Sequence, residues 1–353
     1  MSRILKAATV AMLVSGVAAV AFTSAPASAG PAPIAKIKVK HAILDWTPKH
    51  AAAGASLQPR AAVGGKIQTF SATVHDGAST FRYTMVGKNP FVPQAAPSTT
   101  VNTTLVPVII KFSNGDAWDP TVLDGCDTKN AVTRTRNSPI FSAQHWKFGP
   151  TAVGTGQYVD AFQRGEFYSQ TKPSGINPGY HVELALRVRA PLIVHVPTTK
   201  AAESSTVCGT HKLGAMDIGV LDTAVERYIT DTLGPAATTT FPLFLLDNFV
   251  EFEGDPGACC VLGYHNAMLN AGRLQTYGVA TYDNTGDFSG SADTAVLSHE
   301  VGEWMNDPFV NNATLPWGNT GQVAGCQANL EVGDPLSGTA ITDTVHGKQY
   351  HLQ

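Results

Sequence analysis

The sequence predicts an α+β fold, with one domain that begins near residue 100 of the 353-residue chain. Three observations lead to this prediction. A β-branched run at 105–112 reads as a buried strand, strand-like and helix-like segments alternate after it, and a helix near 292–306 has clear signals at both ends. Strands that alternate with helices are typical of a layered domain in which helices pack on a sheet. We therefore expect a mixed β-sheet that carries the helix near 292–306.

The first 29 residues have the pattern of a secretory signal peptide. Arg3 and Lys6 precede an apolar run at 7–22, and Ala27-Ser28-Ala29 is a small-residue cleavage site. A membrane anchor would need about 18 or more apolar residues and a charged flank after them. The run is shorter and lacks that flank. The sequence therefore predicts that residues 1–29 are removed and that the mature protein is extracellular.

The composition limits the partners that the chain can bind. Charged residues make up only 14%, and the net charge of −3 leaves no basic patch for nucleic acid and no polybasic address for a membrane surface. No later stretch has the length of a membrane-spanning segment, so we expect no stable membrane insertion. The 33 glycines and 22 prolines are typical of a turn-rich extracellular globular protein.

Residues 30–100 form an Ala/Pro/Thr-rich segment with two strand-like runs, at 67–74 and 80–86. Three interpretations fit this segment: a small β-rich layer, a propeptide, or a loose arm. Residues 101–353 are expected to form the catalytic or metal-binding domain. Its predicted elements after the strand at 105–112 are a helix at 156–168, a hairpin at 184–196, a helix at 218–233 and strands at 241–252 and 274–282.

Five cysteines follow the signal peptide, and an exported chain is expected to pair them with one left over. We expect one disulfide between Cys126 and Cys208. A second, between Cys326 and either Cys259 or Cys260, would link the segments before and after the predicted helix. Adjacent cysteines lack the two-residue gap that lets both sulfurs reach one metal ion, so a disulfide is favoured over a metal site.

The predicted helix at 292–306 carries the pattern His-Glu-x-x-Glu. Ser291 and Asp293 provide an N-terminal signal, and Asp307-Pro308 provides the stop. Because 3.6 residues make one turn, His299 and Glu303 lie on the same face, and the apolar residues of the helix lie on the opposite face.

The His-Glu-x-x-Glu spacing suits a metal site. His299 and Glu303 can bind one ion, and Glu300, at the side of that face, can act as the general base on a bound water. Gly302 beside the ligands would allow a close approach of another chain segment. The alternative is an ordinary amphipathic surface helix whose polar face is solvated.

Two ligands do not complete a metal site. Glu331 is the predicted third metal ligand, because it follows Glu303 at a workable distance. Other residues are candidates for orienting the ligands or taking part in the site, although the histidines also fit ordinary packed or exposed roles: Asp334, Asp307, His265, His346 and His351.

The helix resembles that of the zincin metallopeptidases, in which a His-Glu-x-x-His helix binds zinc and a downstream residue is the third ligand. It is more similar to secreted bacterial proteins distantly related to the plant exordium or phosphate-induced proteins. The shared motifs are His299-Glu300-Val-Gly-Glu303, Asp307-Pro308, Glu331-Val-Gly-Asp334 and Cys260-Val-Leu-Gly-Tyr-His265. The resemblance implies a zincin-like mixed β-sheet with an active-site helix, and Zn²⁺ as the cofactor.

The chain departs from the zincin pattern at Glu303, where the second histidine would stand. A carboxylate in place of an imidazole makes the ligand set harder, so Mn²⁺ or Ca²⁺ also becomes an acceptable ion. The sequence therefore predicts a secreted metal-dependent hydrolase, first of all a zinc metallopeptidase with a peptide or protein substrate. The alternative is a non-catalytic extracellular or wall-associated binding protein that keeps the ion as a structural element.

Overall fold

The computed structural model describes residues 34–37 and 67–353, except 209–210 and 289. The predicted signal peptide lies outside the described residues. Within the described part of the chain, no helix combines the length and the apolar character needed to cross a membrane.

The strands are numbered in chain order. The first ten are β1 (Ala35–Lys36), β2 (Thr69–Asp76), β3 (Ser79–Val86), β4 (Thr99–Phe112), β5 (Ala117–Trp118), β6 (Gln144–Phe148), β7 (Thr151–Gly156), β8 (Val182–Val188), β9 (Leu192–Val196) and β10 (Ala201–Cys208). The other nine are β11 (His211–Asp217), β12 (Thr240–Asp247), β13 (Phe249–Phe252), β14 (Gly263–Asn270), β15 (Arg273–Tyr282), β16 (Ala313–Trp317), β17 (Gln327–Asn329), β18 (Ile341–Val345) and β19 (Lys348–Leu352).

Five α-helices lie in the described residues. They are α1 (Ala131–Arg136), α2 (Tyr158–Glu166), α3 (Tyr168–Thr171), α4 (Ile218–Tyr228) and α5 (Ala295–Asn306). The helix predicted at 156–168 is α2, and the short α3 begins where that prediction ends. The helix predicted at 218–233 is α4 followed by one wider turn at Ile229–Leu233, and it stops at Gly234 as expected.

The α+β prediction, with its zincin-like mixed sheet, was wrong about the class of the fold. Strands hold 43% of the described residues and helices only 21%, so the protein is mostly β. Much of the excess comes from four two-stranded sheets: β2–β3, β6–β7, β16–β17 and β18–β19. Only β2–β3 had been predicted; the strands of the other three hairpins are three to six residues long, too short to show a sustained apolar period. A two-stranded hairpin is only marginally stable by itself, so these hairpins depend on packing against the rest of the domain, as Val86 of β3 does.

The largest sheet has seven strands, with β4 near its centre. Strand β14 is an antiparallel edge strand beside β15, and β15, β12 and β4 then run parallel to one another. Beyond Pro107, β4 also pairs with the short antiparallel β5. The buried run predicted at 105–112 is therefore the second half of the 14-residue strand β4.

The hairpin predicted at 184–196 does not form. Strands β8 and β9 both run parallel to β4, the first along Thr99–Leu105 and the second along Val108–Phe112. They form one edge strand interrupted near Pro191, which has no N–H to donate to the sheet. The chain therefore continues along β4 at the proline, where the sequence had suggested a turn.

A second sheet has the strand order β1-β10-β11-β13. The strand predicted at 241–252 is split between the two sheets, because β12 belongs to the first and β13 to the second. The break is at Asn248, whose φ of 50° lies in the left-handed region. Asparagine tolerates this conformation better than most residues, and a left-handed residue cannot continue a strand.

Helices cover both faces of the seven-stranded sheet. On one face α2 and α5 pack in a core that includes Leu243, Leu245 and Val301. On the other face α4 packs through Leu221 and Val225. Helix α5 therefore lies against the sheet, next to the edge strand β14.

The two strand-like runs in the N-terminal segment are confirmed as the hairpin β2–β3. The hairpin is attached to the end of α5 through Asn312. The side-chain amide of Asn312 donates to Asn306 O at 2.6 Å and to Thr84 O at 2.8 Å, and its Oδ1 accepts the Thr84 N–H at 2.9 Å. Val86, at the end of β3, is fully buried in the same core as α5.

The structure contains the expected disulfide between Cys126 and Cys208. The second expected bridge, from Cys260 to Cys326, is absent: Cys260 is bonded to its neighbour Cys259, and Cys326 is free and exposed. Cys259 and Cys260 are buried in the core just before β14. Cys326 lies on the surface, so the segments around α5 are not linked by a disulfide.

Candidate metal centre

Helix α5 begins after Thr294, later than the predicted cap at Ser291, because Asp293 has a left-handed φ of 45°. It ends where predicted, at Asp307. The Asp307 carboxylate accepts the N–H groups of Asn311 and Asn312, both at 2.9 Å. Burial raises the pKa of Asp307 to about 7. The carboxylate of Asp307 thus shapes the turn after the helix.

All twelve residues of α5 are buried, including those of its polar face. The side chains of His299, Glu300 and Glu303 are 0% exposed. This excludes the surface helix with a solvated polar face. Buried charged groups are unfavourable unless they are paired or bind a metal ion, so the surroundings of these three side chains decide what the helix does.

A first group of candidate ligands joins α5 to the turn at Asp334–Leu336. His299 Nε2 lies 3.2 Å from Glu303 Oε2 and 3.8 Å from Asp334 Oδ1. One ligand atom from each of the three residues lies within 4.8 Å of the others, and all three residues are buried. Imidazole and carboxylate ligands at such separations can converge on one divalent ion.

Glu303 is oriented by the backbone of that turn. Its Oε1 accepts the N–H groups of Gly333 at 3.0 Å and Asp334 at 3.2 Å, which leaves Oε2 directed at the histidines. Burial disfavours the carboxylate, but the His299 ring outweighs this effect and lowers the pKa of Glu303. The carboxylate is therefore ionised and held at a fixed angle.

A second group joins α5 to the edge strand β14. His265 Nδ1 lies 3.5 Å from Glu300 Oε2 and 3.8 Å from Glu303 Oε2, and these three residues also place ligand atoms within 4.8 Å of one another. Its Nε2 is 3.2 Å from Asp307 O, and since a carbonyl only accepts, Nε2 carries the hydrogen. Nδ1 of the neutral ring is thus a free acceptor, and burial lowers the pKa of His265, which favours this neutral form.

The two groups contain polar atoms that nothing else in the described chain satisfies. Nε2 of His299, Nδ1 of His265 and Oε2 of Glu303 are buried and make no hydrogen bond of ordinary geometry there. Burial disfavours protonation of His299, yet the nearby Glu303 outweighs it and raises the pKa of His299. A proton on His299 and a metal ion therefore compete for the same place, and the donor set fits a divalent cation.

Gln353 contacts the other side of the His299 ring. Its amide nitrogen lies 3.0 Å from His299 Nδ1 and donates to Gly333 O at 2.9 Å. With this orientation the hydrogen of a neutral His299 is on Nε2. Metal binding at Nε2 therefore requires that the hydrogen move to Nδ1 and that the Gln353 amide nitrogen leave Nδ1, because two donors cannot face each other.

Glu331, the predicted third ligand, is in neither group. It is buried, and its Oε1 accepts a hydrogen bond from Asn329 Nδ2 at 2.6 Å. Asp334 is in the place expected of Glu331, because the chain turns at Gly333 and brings the next residue towards His299. The Glu-x-Gly-Asp motif contains the ligand candidate, but at its last position.

Two glutamines that the sequence did not single out hold Asp334. Gln322 Nε2 donates to Oδ1, and Gln327 Nε2 donates to Oδ2 at 3.0 Å. Burial, with the charge of Glu303, raises the pKa of Asp334 to about 6. Neither glutamine lies in a motif, so no sequence signal marks them.

The other two candidate histidines lie outside both groups. His346 is exposed in the turn between β18 and β19. His351 Nδ1 pairs with Asp293 Oδ2 at 2.8 Å, just before the start of α5. His351 therefore helps to fix the N-terminal end of the helix.

The glycine that permits the close approach is Gly333 and not Gly302. A Cβ on Gly302 would meet only Phe162, at an ordinary 3.9 Å, whereas a Cβ on Gly333 would lie 2.6 Å from His299 Cε1. The φ of Gly333 is −84°, which any residue can adopt. The requirement at Gly333 is therefore the space taken by the His299 ring.

Gly333→Ala is expected to displace the His299 ring and to weaken metal binding by about 10- to 100-fold, the usual effect of losing the support of a ligand. Gly302→Ala is the matched control, and it should stabilise α5 by up to about 1 kcal/mol without changing metal affinity. Metal titration by calorimetry and thermal unfolding of both variants test this. Equal metal affinity in the two variants would contradict the role given to Gly333.

Comparisons with known proteins give no relative for this chain. No protein-family model matches it, and no curated protein and no solved structure matches it either. What the centre can do is therefore argued from its own geometry.

Proposed function

We propose that this protein is a secreted, metal-dependent hydrolase of peptide bonds, with Zn²⁺ as the first candidate ion. The observation that carries the proposal is the convergence of His299 Nε2, Glu303 Oε2 and Asp334 Oδ1 in a buried place, where the first two atoms make no hydrogen bond within the described part of the chain. One imidazole and two carboxylates suit Zn²⁺, and Mn²⁺ is the next candidate.

Support for secretion comes from the N-terminal sequence and from the two disulfides. Disulfides persist mainly in oxidising compartments. The choice of a peptide substrate depends on the resemblance of the His299-Glu300-x-x-Glu303 helix to that of zinc metallopeptidases.

Each residue of the centre has a distinct role in the proposed reaction. A bound divalent ion would polarise the scissile carbonyl and lower the pKa of water. His299, Glu303 and Asp334 would hold the ion, and the two backbone N–H groups on Glu303 Oε1 would keep that carboxylate in place. Glu300, one residue from His299 and on the β14 side of Glu303, would accept the proton from the attacking water.

A second function is favoured by the burial of the site. Catalytic metal sites keep one position open, whereas structural sites are closed by protein ligands. The side chains of His299, Glu300 and Glu303 are 0% exposed, as a structural ion in an extracellular binding protein would require. For the hydrolase, the segments that cover the centre must open to admit substrate.

The test combines metal content with activity. Mass spectrometry of the purified secreted protein is expected to find a bound divalent ion, and His299→Ala should lose it. His195→Ala, on the exposed surface of β9, is the matched control and should keep it. Absence of metal from the wild type, or an unchanged content in His299→Ala, would reject the metal site.

Glu300→Gln then separates the two functions. The hydrolase predicts cleavage of unstructured protein substrates by the wild type, and a loss of at least about 100-fold in Glu300→Gln while the first ion stays bound. A wild-type protein that binds the ion and cleaves no substrate across a broad peptide library would favour the structural ion.

A further inference from the structure

His265 presents an unusual arrangement of acceptors on the β14 side of α5. Its Nδ1 carries no hydrogen when the ring is neutral, because Nε2 donates to Asp307 O. This bare nitrogen faces Glu300 Oε2 at 3.5 Å and Glu303 Oε2 at 3.8 Å. The side chains of all three residues are 0% exposed.

The bare Nδ1 of His265 and the ionised Oε2 of Glu303 are both acceptors, and in a buried place water does not screen the repulsion between them. Nδ1 has no hydrogen-bond partner in the described part of the chain. A divalent cation could bind to one atom of each residue, since the three ligand atoms lie within 4.8 Å of one another, and it would satisfy Nδ1. The bond from Nε2 to the Asp307 carbonyl is the support that metal-binding histidines commonly have.

We propose that His265, Glu300 and Glu303 form a second divalent-cation site, which shares Glu303 with the site formed by His299, Glu303 and Asp334. Glu303 would then bridge two ions. The proposal deepens the proposed function by adding a form of regulation to the same centre. Its ion-binding part depends only on the geometry of His265 and its neighbours, whereas its effect on rate rests on the proposed role of Glu300 as the base.

The charges predict that the second ion binds more weakly than the first. The first ion is matched by two carboxylates, those of Glu303 and Asp334. A second ion adds two positive charges and finds one further carboxylate, that of Glu300. The buried centre is then left with one uncompensated positive charge, and the two ions repel each other across Glu303.

Occupation of the second site would change the role of Glu300. A carboxylate that binds a cation is less basic, because the positive charge favours its ionised form, and it accepts a proton from water less readily. The second ion should therefore inhibit the hydrolysis that the first ion supports. Activity is expected to rise with the first equivalent of metal and to fall as the second one binds.

The test is a titration of the metal-free full-length secreted protein with Zn²⁺, followed by calorimetry and by mass spectrometry under native conditions. We expect two equivalents in the wild type, one tight and one weaker, and a single tight equivalent in His265→Ala. His195→Ala, the exposed control, should keep both. One equivalent in the wild type would overturn the second site and leave the proposed function intact, and none would overturn both.

Two equivalents in both the wild type and His265→Ala would also overturn the proposal, since the weaker ion would then lie elsewhere. If His265→Ala does not fold, Mn²⁺ replaces Zn²⁺ in the wild type. Electron paramagnetic resonance should then show magnetic coupling between two ions that share one carboxylate, and uncoupled signals would count against a shared Glu303. A second equivalent that raised the rate of hydrolysis would overturn the inhibitory role.

Discussion

Glu303→Gln is expected to abolish metal binding at both groups, with a loss of affinity well above the roughly 100-fold that follows the removal of a supporting residue. Glu303 is the only residue that the two groups share. Glutamine can still accept the N–H groups of Gly333 and Asp334 through its carbonyl oxygen, so the fold should be kept. The amide nitrogen would then replace Oε2 and present hydrogens to His299, where an ion needs a lone pair.

Calorimetric titration of Glu303→Gln with Zn²⁺, alongside circular dichroism, measures the effect. Glu183→Gln, on the exposed side of β8, removes the same charge from a residue outside both groups and serves as the control. Wild-type affinity in Glu303→Gln would show that α5 is not the metal helix. Loss of one equivalent, with the other retained, would show that the two groups do not share this ligand.

Trp304→Ala is expected to lower the free energy of unfolding by about 3–5 kcal/mol, the usual cost of removing a buried aromatic side chain. Trp304 is fully buried and stacks on Phe241 of β12, with ring centroids 3.7 Å apart and an angle of 6° between the rings. Its Nε1 donates to Thr276 Oγ1 of β15 at 3.0 Å. Trp304 therefore packs α5 against β12 and β15, the two strands next to the edge strand β14.

Denaturant unfolding of Trp304→Ala is best measured in the presence of a chelator, because Trp304 adjoins Glu303 and bound ions would add their own stabilisation. Trp304→Phe is the matched control: it keeps the ring stack and loses the hydrogen bond to Thr276. It should cost clearly less than the alanine variant. Similar costs in the two variants would assign the stability to the hydrogen bond instead of the stack.

The part of the centre that could be predicted from sequence is the part that one helix determines. The spacing of His299 and Glu303 fixes their common face whatever surrounds the helix, and the stop at Asp307-Pro308 is likewise local. The burial of that face could not be predicted, since it depends on β14 and on the turn at 333–336 reaching the helix from distant parts of the chain.

The choice between Glu331 and Asp334 shows the limit of local reasoning. Glu331 and Asp334 are both acidic and three residues apart, so the sequence cannot decide which one faces His299. The decision is made by Gly333, whose missing side chain lets the backbone pack against the ring. The predicted bridge from Cys260 to Cys326 was wrong for a related reason. Spacing along the chain does not reveal that Cys260 is buried and Cys326 is exposed.

The connections between strands could not be predicted either. Pro191 suggested a turn, yet β8 and β9 follow the same long partner strand, and Asn248 moves the chain from one sheet to the other within a single predicted strand. Both outcomes depend on which strands become neighbours, and that is set by packing across the whole domain.

The attachment of the β2–β3 hairpin to α5 has a consequence for how the protein can mature. Asn312 uses its amide to hold both Thr84 and the last turn of α5, and Val86 fills part of the core beneath that helix. Proteolytic removal of the chain up to residue 100 would therefore remove the hydrogen bonds between Thr84 and Asn312 at the end of α5. It would also leave a cavity in the core where Val86 packs. Cleavage that keeps these contacts with α5 would have to occur before residue 67. The β2–β3 hairpin would then remain part of the mature protein.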